Sequence, residues 1–192
     1  MNTLKAQSRR FILREQTAPA HALLDEQVGD FDDLASYRRY LRGMEAFRAP
    51  YEQALAQIQW PEIFGAWRPQ RIADLLRADL ADLETPSLPP MPAIKLEGNL
   101  EPMLGVLYVL EGSSLGARIL RQRARKLDLT DTWGARHLAR QASDTRNWAE
   151  FLIILEESPY IDIHTVCSAS LTVFAAATKA FQNAADARHS QG

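Results

Sequence analysis

Four histidines give this 192-residue sequence its clearest capacity for metal chemistry, and each has a different setting. His21 precedes apolar residues of a predicted helix, His164 is predicted at a helix start, and His189 lies in the C-terminal tail. His137 lies in a basic stretch, which predicts a solvated side chain. A lone, partly buried histidine such as His21 is more often a hydrogen-bonded structural residue than a ligand. Spacing alone therefore favours a structural role and leaves a ligand role as the alternative.

Glycines inside a predicted helix are the second unusual feature. Gly112 and Gly116 are four residues apart, so they expose the backbone on nearly the same helix face. Together with Gly105 they should destabilise the helix, because each interior glycine costs about 0.5–1 kcal/mol relative to alanine. Their presence therefore indicates a structural or functional role. Close helix packing is the commoner reason. The other is the close approach of a flat ligand, with a bend at Ser113 and Ser114.

Several known catalytic motifs are absent from the sequence. No histidine has the Glu-x-x-His spacing of di-iron bundles, and no His-Glu-x-x-His zinc motif or phosphate-binding glycine loop occurs. A Gly-x-Ser-x-Gly nucleophile elbow is also missing. The single cysteine, Cys167, can form neither an intramolecular disulfide nor a cysteine cluster around a metal. Its apolar helical setting favours an inert buried thiol over a nucleophile.

Composition narrows the class of protein without indicating its chemistry. The net charge of −2 argues against a nucleic-acid-binding surface, which usually needs a strongly basic domain. Hydrophobic residues make up 46% of the chain and charged residues 24%, as in soluble globular domains. No apolar run is long enough for a membrane span, and the N-terminal segment lacks the features of a signal peptide. We therefore expect a soluble, cytoplasmic protein without a membrane partner.

Helical periodicity dominates the chain and predicts an all-α, single-domain fold over 1–192, with a core at about 8–185 and about seven or eight helices. Pro19 predicts either a new helix capped by Thr17 or one long kinked helix. Pro50 should bend or break the second helix. The proline-rich segment 85–99 is expected to form an extended loop. The predicted helices lie at about 4–28, 34–59, 71–83, 100–127, 146–157 and 162–187, with a short one within 130–142.

Two of these segments resemble the proximal and distal helices of the haem oxygenase family, in its bacterial branch. The segment LREQTAPAHALLD (13–25) has the proximal pattern Leu-Arg-x-x-Thr-x-x-x-His. The segment LGVLYVLEGSSLGARIL (104–120) has the more specific distal pattern Leu-Tyr-Val-Leu-Glu-Gly-Ser-x-Leu-Gly. Looser agreement includes Trp148 with Phe151, and Phe174 with Phe181. The similarity extends over about residues 8–185.

The resemblance implies a multi-helical haem oxygenase-like fold that holds haem between these two helices. His21 is then the proximal iron ligand, and Gly112 and Gly116 are the distal glycines that bind haem and take part in catalysis. Arg14, seven residues before His21, is expected near a haem propionate, since a guanidinium suits a carboxylate. Ser113 takes the place of the distal aspartate of animal members and is expected to help order water for proton delivery.

The activity implied by the resemblance is oxidative cleavage of haem to biliverdin, carbon monoxide and ferrous iron. Haem would be both substrate and cofactor, with no separate metal. Electrons would come from ferredoxin or a flavoprotein reductase, and a phytochrome is a possible acceptor of biliverdin. A non-catalytic haem-binding or haem-storage protein is the alternative, which Ser113 and Ala117 leave open. A helical interaction domain that binds no haem is a third.

A basic run follows the distal glycines. Its first interpretation is a solvated helix end, where cations are favourable to the helix dipole. The second is a docking site for an acidic redox partner or for propionates. The run consists of Arg118, Arg121, Arg123, Arg125 and Lys126.

Overall fold

The computed structural model describes residues 8–96, 99–144 and 146–186, and His189 therefore lies outside the described residues. Eight α-helices and two short 3-10 segments form this part of the chain, which contains no β-sheet, so the prediction of an all-α fold is confirmed. The helices are α1 (Arg9–Val28), α2 (Leu34–Gln57), α3 (Ala73–Asp82), α4 (Leu100–Gly112), α5 (Ala117–Arg125), α6 (Arg136–Ser143), α7 (Arg146–Glu157) and α8 (Ile163–Asp186).

Helix α1 runs without interruption through Pro19. Thr17 does not cap a new helix, because its side chain is buried and its hydroxyl donates to the Leu13 carbonyl at 2.7 Å. The interpretation as one long helix is therefore the right one of the two. The helix ends at Gly29, whose φ of +61° is left-handed and whose N–H donates to the Asp25 carbonyl at 2.9 Å.

Helix α2 also continues through its proline, so of the two expectations for Pro50, a bend or a break, the break is wrong. Its start is fixed by a capping box between Asp33 and Ser36. Pro50 has no N–H to donate to the Ala46 carbonyl four residues earlier. That carbonyl instead accepts from the Met91 N–H at 2.9 Å. The proline-rich loop thus provides the hydrogen bond that the helix loses.

The predicted extended loop is confirmed over its described part, because residues 85–96 adopt no regular secondary structure. The loop is anchored to α2 through Met91. It therefore packs over the same helix in which it satisfies the carbonyl left free by Pro50. This contact is between residues that are distant in the sequence.

Helix α8 lies at the centre of the bundle and packs against α1, α2 and α4. Gly105 lets α4 approach it closely, because a Cβ at this position would lie 2.6 Å from the Ala169 Cβ and 2.7 Å from the Val166 carbonyl oxygen. The helical stretch Leu100–Arg125 has the length and apolar composition of a membrane span. Half of its most apolar window is buried inside the protein, as in the core helix of a soluble protein.

Candidate functional site: a cavity between α1 and the α4–α5 turn

His21 projects from the middle of α1 with 60% of its side chain exposed. Its Nδ1 atom lies 3.0 Å from Asp25 Oδ2, one helical turn further on. Phe174 of α8 packs edge-on against the imidazole, with 5.7 Å between ring centroids. With the carboxylate beside Nδ1, a proton on that nitrogen would leave the Nε2 lone pair free to bind a metal. Asp25 was missed in the sequence, although its spacing of four residues from His21 was a usable signal.

The distal glycines lie at an interruption of the helix rather than within it. The predicted helix over 100–127 is helical over Leu100–Arg125, but within it the chain changes from α4 to a 3-10 segment over Ser113–Gly116 and then to α5. The Ser114 hydroxyl donates to the Glu111 carbonyl at 2.7 Å. Glycine and serine together are a common cause of such local changes in helix geometry.

Gly112 and Gly116 are not required for close helix packing. A Cβ on Gly116 would meet no atom within 4 Å. A Cβ on Gly112 would make an ordinary contact of 3.7 Å with the Trp148 ring. The packing explanation therefore applies to Gly105, whereas the other two glycines leave bare backbone facing open space or an aromatic edge.

The Ser113 hydroxyl is held by hydrogen bonds within the protein. It donates to the Leu110 carbonyl at 2.6 Å and accepts from Gln141 Nε2 at 3.2 Å. Its proton is thus directed into the turn. Gln141, a buried residue of α6, was missed in the sequence because nothing in its local pattern shows a contact 28 residues away.

These residues line one cavity of about 490 Å³. His21 and Asp25 come from α1, Gly112 from α4, and Ser113 and Gly116 from the turn. The remaining lining side chains are predominantly apolar or aromatic and come from α1, α2, α4, α5, α7, α8 and the 3-10 turn: Leu24, Val28, Tyr40, Met44, Phe47, Tyr108, Val109, Leu115, Leu120, Trp148, Phe174, Ala177 and Phe181.

A neighbouring cavity of about 480 Å³ brings in the predicted Arg14. Both cavities share five lining residues: His21, Asp25, Tyr108, Leu115 and Trp148. Arg10 lies one helical turn before Arg14 in the second cavity. Burial raises the pKa of the Tyr108 hydroxyl, and the charges of the two arginines oppose this shift. The continuity of α1 past Pro19 keeps Arg14 two turns from His21. Sequence reasoning missed Arg10 and Tyr108.

Buried polar contacts support the end of α4 beside the cavity. The fully buried Arg48 guanidinium donates to the Leu110 carbonyl at 2.7 Å, to Glu52 Oε1 at 2.9 Å and to the Gln70 carbonyl at 2.7 Å. The Glu111 carboxylate accepts from the Gln70 N–H at 2.8 Å. Burial raises the pKa of Glu111, and the charge of Arg48 partly offsets this effect.

His137 is fully buried, so the expectation of a solvated side chain is wrong. Its Nδ1 lies 2.7 Å from Asp79 Oδ2, and its Nε2 lies 3.2 Å from the Tyr40 hydroxyl. Burial lowers the pKa of His137. For Asp79, burial raises the pKa, but the hydrogen bonds and charge of His137 outweigh it and lower the pKa overall.

The remaining candidates have structural surroundings. Cys167 is buried in α8, and burial raises the pKa of its thiol, as expected for an inert cysteine. In the basic run, Arg121 and Arg125 pair with Asp131, and Arg123 pairs with Asp30. Three of its five cations are thus partly neutralised, which favours the interpretation as a solvated helix end.

The comparisons with known proteins agree on one family. Heme oxygenase PigA of Pseudomonas aeruginosa is 31% identical to this chain over 166 residues, which cover 81% of the chain and 84% of the relative. A heme oxygenase of Xanthomonas campestris pv. campestris is 28% identical over 128 residues, covering 65% of the chain and 74% of the relative. No protein-family model matches the chain.

The fold agrees with these relatives. A crystal structure of NO- and CO-bound heme oxygenase from Neisseria meningitidis superposes with a TM-score of 0.73 and 22% sequence identity. The match covers 93% of this chain and 92% of that structure. Sequence identity over most of the chain, together with an all-α fold that places the two predicted motifs around one cavity, shows that this chain belongs to the haem oxygenase family.

Proposed function

We propose that this chain is a haem oxygenase that cleaves haem to biliverdin, carbon monoxide and ferrous iron, using dioxygen and external electrons. The observation that carries the proposal is the meeting of His21 with Gly112 and Gly116 at one cavity, although they lie on different elements about ninety residues apart in the sequence.

The residues of this cavity fit haem. Its volume of about 490 Å³ lies within the usual range for small-molecule sites, and its walls are largely apolar, as a flat macrocycle requires. His21 would provide one nitrogen ligand, and the open space beside Gly116 would accommodate the face of the ring. Arg10 and Arg14 line the adjoining cavity, where they would provide positive charge for the propionates.

Bound haem supplies both the ring that is cleaved and the iron that activates dioxygen. His21 Nε2 would hold that iron, and the Asp25 carboxylate, 3.0 Å from Nδ1, would orient the imidazole. Such a carboxylate also raises the basicity of the ligating nitrogen. A neutral histidine donates less charge to iron than a cysteine thiolate does, which suits oxidation of the ring itself.

The turn after α4 shapes the opposite side of the site. Gly112 and Gly116 carry no side chain, so their backbone would lie close to a bound ring and limit the space on that side. Ser113 acts as a positioning residue, because its bonds to Leu110 and Gln141 hold the turn in place. Proton delivery then depends on water and backbone groups at the turn rather than on the Ser113 proton.

The partners are proposed on the family resemblance. Electrons come from an external protein donor such as ferredoxin or a flavoprotein reductase, and a phytochrome is a suitable acceptor of biliverdin. We propose a cytoplasmic location, where these partners are available. In the basic run, Arg121, Arg123 and Arg125 form ion pairs. Arg118 and Lys126 have no carboxylate partner among the described residues.

Incubation with haemin, a reductant system and air tests the activity. We expect loss of the haem Soret band and formation of biliverdin, identified by chromatography together with its regioisomer. Replacement of His21 by alanine should abolish turnover. The matched control is His164→Ala, because His164 lies at the start of α8 outside the cavity.

Two results would contradict the proposal. A haem spectrum that persists under reductant and air without biliverdin would indicate the non-catalytic haem-binding alternative. A haemin titration that is the same for His21→Ala and for the unaltered chain would show that the imidazole does not bind the iron.

A further inference from the structure

Helix α2 carries a second feature, on the side that faces away from the haem cavity. Arg38, Arg39 and Arg42 line a polar cavity of about 360 Å³ together with the loop that follows α3. At 100° of rotation per residue, these arginines lie on the face opposite Tyr40 and Met44, which line the haem cavity. The two cavities share no lining residue.

The charge of this cavity is not neutralised by the protein. None of the three arginines has an ion-pair partner within 8–96, 99–144 and 146–186, whereas many other arginines of the fold pair with carboxylates. Those pairs involve Arg48, Arg77, Arg121, Arg123, Arg125 and Arg136. Among the described lining residues Glu84 is the only acid, and its side chain is exposed to solvent. Three cations against one acid leave an excess of positive charge.

The Arg42 side chain also contains a buried hydrogen-bond donor that is not satisfied. Its Nε atom is buried and has no acceptor. A buried donor without an acceptor is unfavourable, and natural proteins satisfy nearly all such groups. An anion in the cavity would provide the missing acceptor and balance the excess charge at the same time.

The opposite wall of the cavity is held in place by local hydrogen bonds. Glu84 adopts a left-handed φ of +48°, and the next residue, Thr85, donates its N–H to the Leu80 carbonyl at 2.9 Å. The Thr85 hydroxyl donates to the Leu83 carbonyl at 2.9 Å. These bonds fix the end of α3, which lines the cavity together with the arginines.

We propose that this cavity is a binding site for a small anion that carries phosphate groups. Planar guanidinium groups match phosphate oxygens through paired hydrogen bonds, and three of them suit a group with several charged oxygens. The concave shape and the volume of about 360 Å³ favour a small molecule over a protein surface. The site is independent of the haem cavity.

Calorimetric titration with inorganic pyrophosphate tests the site. Measurements at about 0.15 M salt screen weak attraction between exposed charges. We expect saturable binding at one site per chain. Arg38→Gln and Arg42→Gln should each weaken it by about tenfold or more, since each removes a charge-assisted contact.

Three matched controls separate this site from general charge effects. Arg71→Gln removes an exposed arginine outside the cavity and should change affinity by less than about twofold. Arg14→Gln, which alters the proposed propionate site, should leave pyrophosphate binding unchanged. Malonate, a dianion with carboxylates in place of phosphates, should bind more weakly than pyrophosphate.

The proposal is overturned if pyrophosphate shows no saturable binding. It is also overturned if Arg71→Gln weakens binding as much as Arg42→Gln does, if only Arg14→Gln weakens it, or if malonate binds as tightly. Melting curves of each variant confirm that the protein remains folded, and the conservative Arg42→Lys should retain part of the affinity that Arg42→Gln loses.

Discussion

Gly105 and Gly116 lie about three turns apart in one helical stretch but face different surroundings. Gly105 Cα abuts α8, whereas Gly116 faces open space at the cavity. Gly105→Ala should lower the free energy of unfolding by about 1–3 kcal/mol, because the added methyl group overpacks the α4–α8 contact. Gly116→Ala should raise the free energy of unfolding by up to about 1 kcal/mol, because alanine favours the helical backbone and its methyl group meets no atom. It should also weaken haem binding or alter the biliverdin regioisomer.

Thermal or urea unfolding and haemin titration check this pair of variants. Equal destabilisation by both substitutions would contradict the assignment of packing to Gly105 and ligand approach to Gly116. Unchanged haem affinity and product pattern in Gly116→Ala would contradict the assignment of ligand approach to Gly116.

Asp25 lies 3.0 Å from His21 Nδ1 and is the residue proposed to orient the imidazole. Asp25→Asn keeps the shape of the side chain but removes its charge, so the imidazole should become a weaker donor to iron. We expect haem still to bind, with a lower iron–histidine stretching frequency in the resonance Raman spectrum of the ferrous complex. Glu26→Gln, a neighbouring exposed acid, is the control and should leave that frequency unchanged.

At the scale of elements, the two prolines inside helices have different consequences. The carbonyl freed by Pro50 accepts from Met91, so Pro50→Ala should release the loop by restoring the helical bond to Ala46. We expect faster hydrogen exchange at the Met91 amide with little net change in stability. Slow exchange that persists in the variant would show that the loop is held by other contacts.

Pro19 has no such compensation among the described residues, because no loop N–H reaches the Glu15 carbonyl. Pro19→Ala should therefore stabilise the protein, by about 1–3 kcal/mol if the helix gains its full hydrogen bond. Urea unfolding measures this change. A destabilised variant would indicate that the proline ring itself supports the position of His21.

The buried Tyr40–His137–Asp79 contacts predict how α3 and α6 respond to pH. The pKa of His137 is lowered in the folded state, so the unfolded chain binds the proton more readily as pH falls below about 6.5. The pKa of Asp79 is also lowered, and its stabilising contribution is lost as pH falls through that folded-state value. Both effects therefore lower the stability of the folded state as the pH falls.

Stability should therefore decrease as pH is lowered from about 6.5, as measured by urea unfolding across a pH series. His137→Gln should flatten the first part of this dependence. His164→Gln, at an exposed histidine, should not. If the slope of stability against pH is unchanged in His137→Gln, the pH dependence comes from other groups.

At the scale of the whole molecule, Arg48 joins parts of the chain that are far apart in sequence. It connects α2 with the end of α4 and with the segment before α3. Arg48→Met should cost about 3–5 kcal/mol, because Glu52 is left buried without its cation. The double variant with Glu52→Gln should recover part of the loss in urea unfolding. Equal stability of the single and double variants would contradict this coupling.

The sequence by itself determined the helical class and the two motifs of the site. Periodic apolar residues specify helices because each helix must bury one face, and this holds whatever the neighbours are. The patterns around His21 and Gly112–Gly116 were recognisable because their residue types and spacings are local. The single-domain organisation over 1–192 stays a prediction, as do the roles of the individual site residues.

Only the tertiary structure decided the features that depend on distant partners. Helix α2 passes Pro50 because Met91 provides the missing donor, and His137 is buried because Asp79 and Tyr40 accept and donate to its ring. The turn at Ser113 is held by Gln141. In each case a buried polar group must find a partner, and that partner comes from a part of the chain that no local pattern identifies.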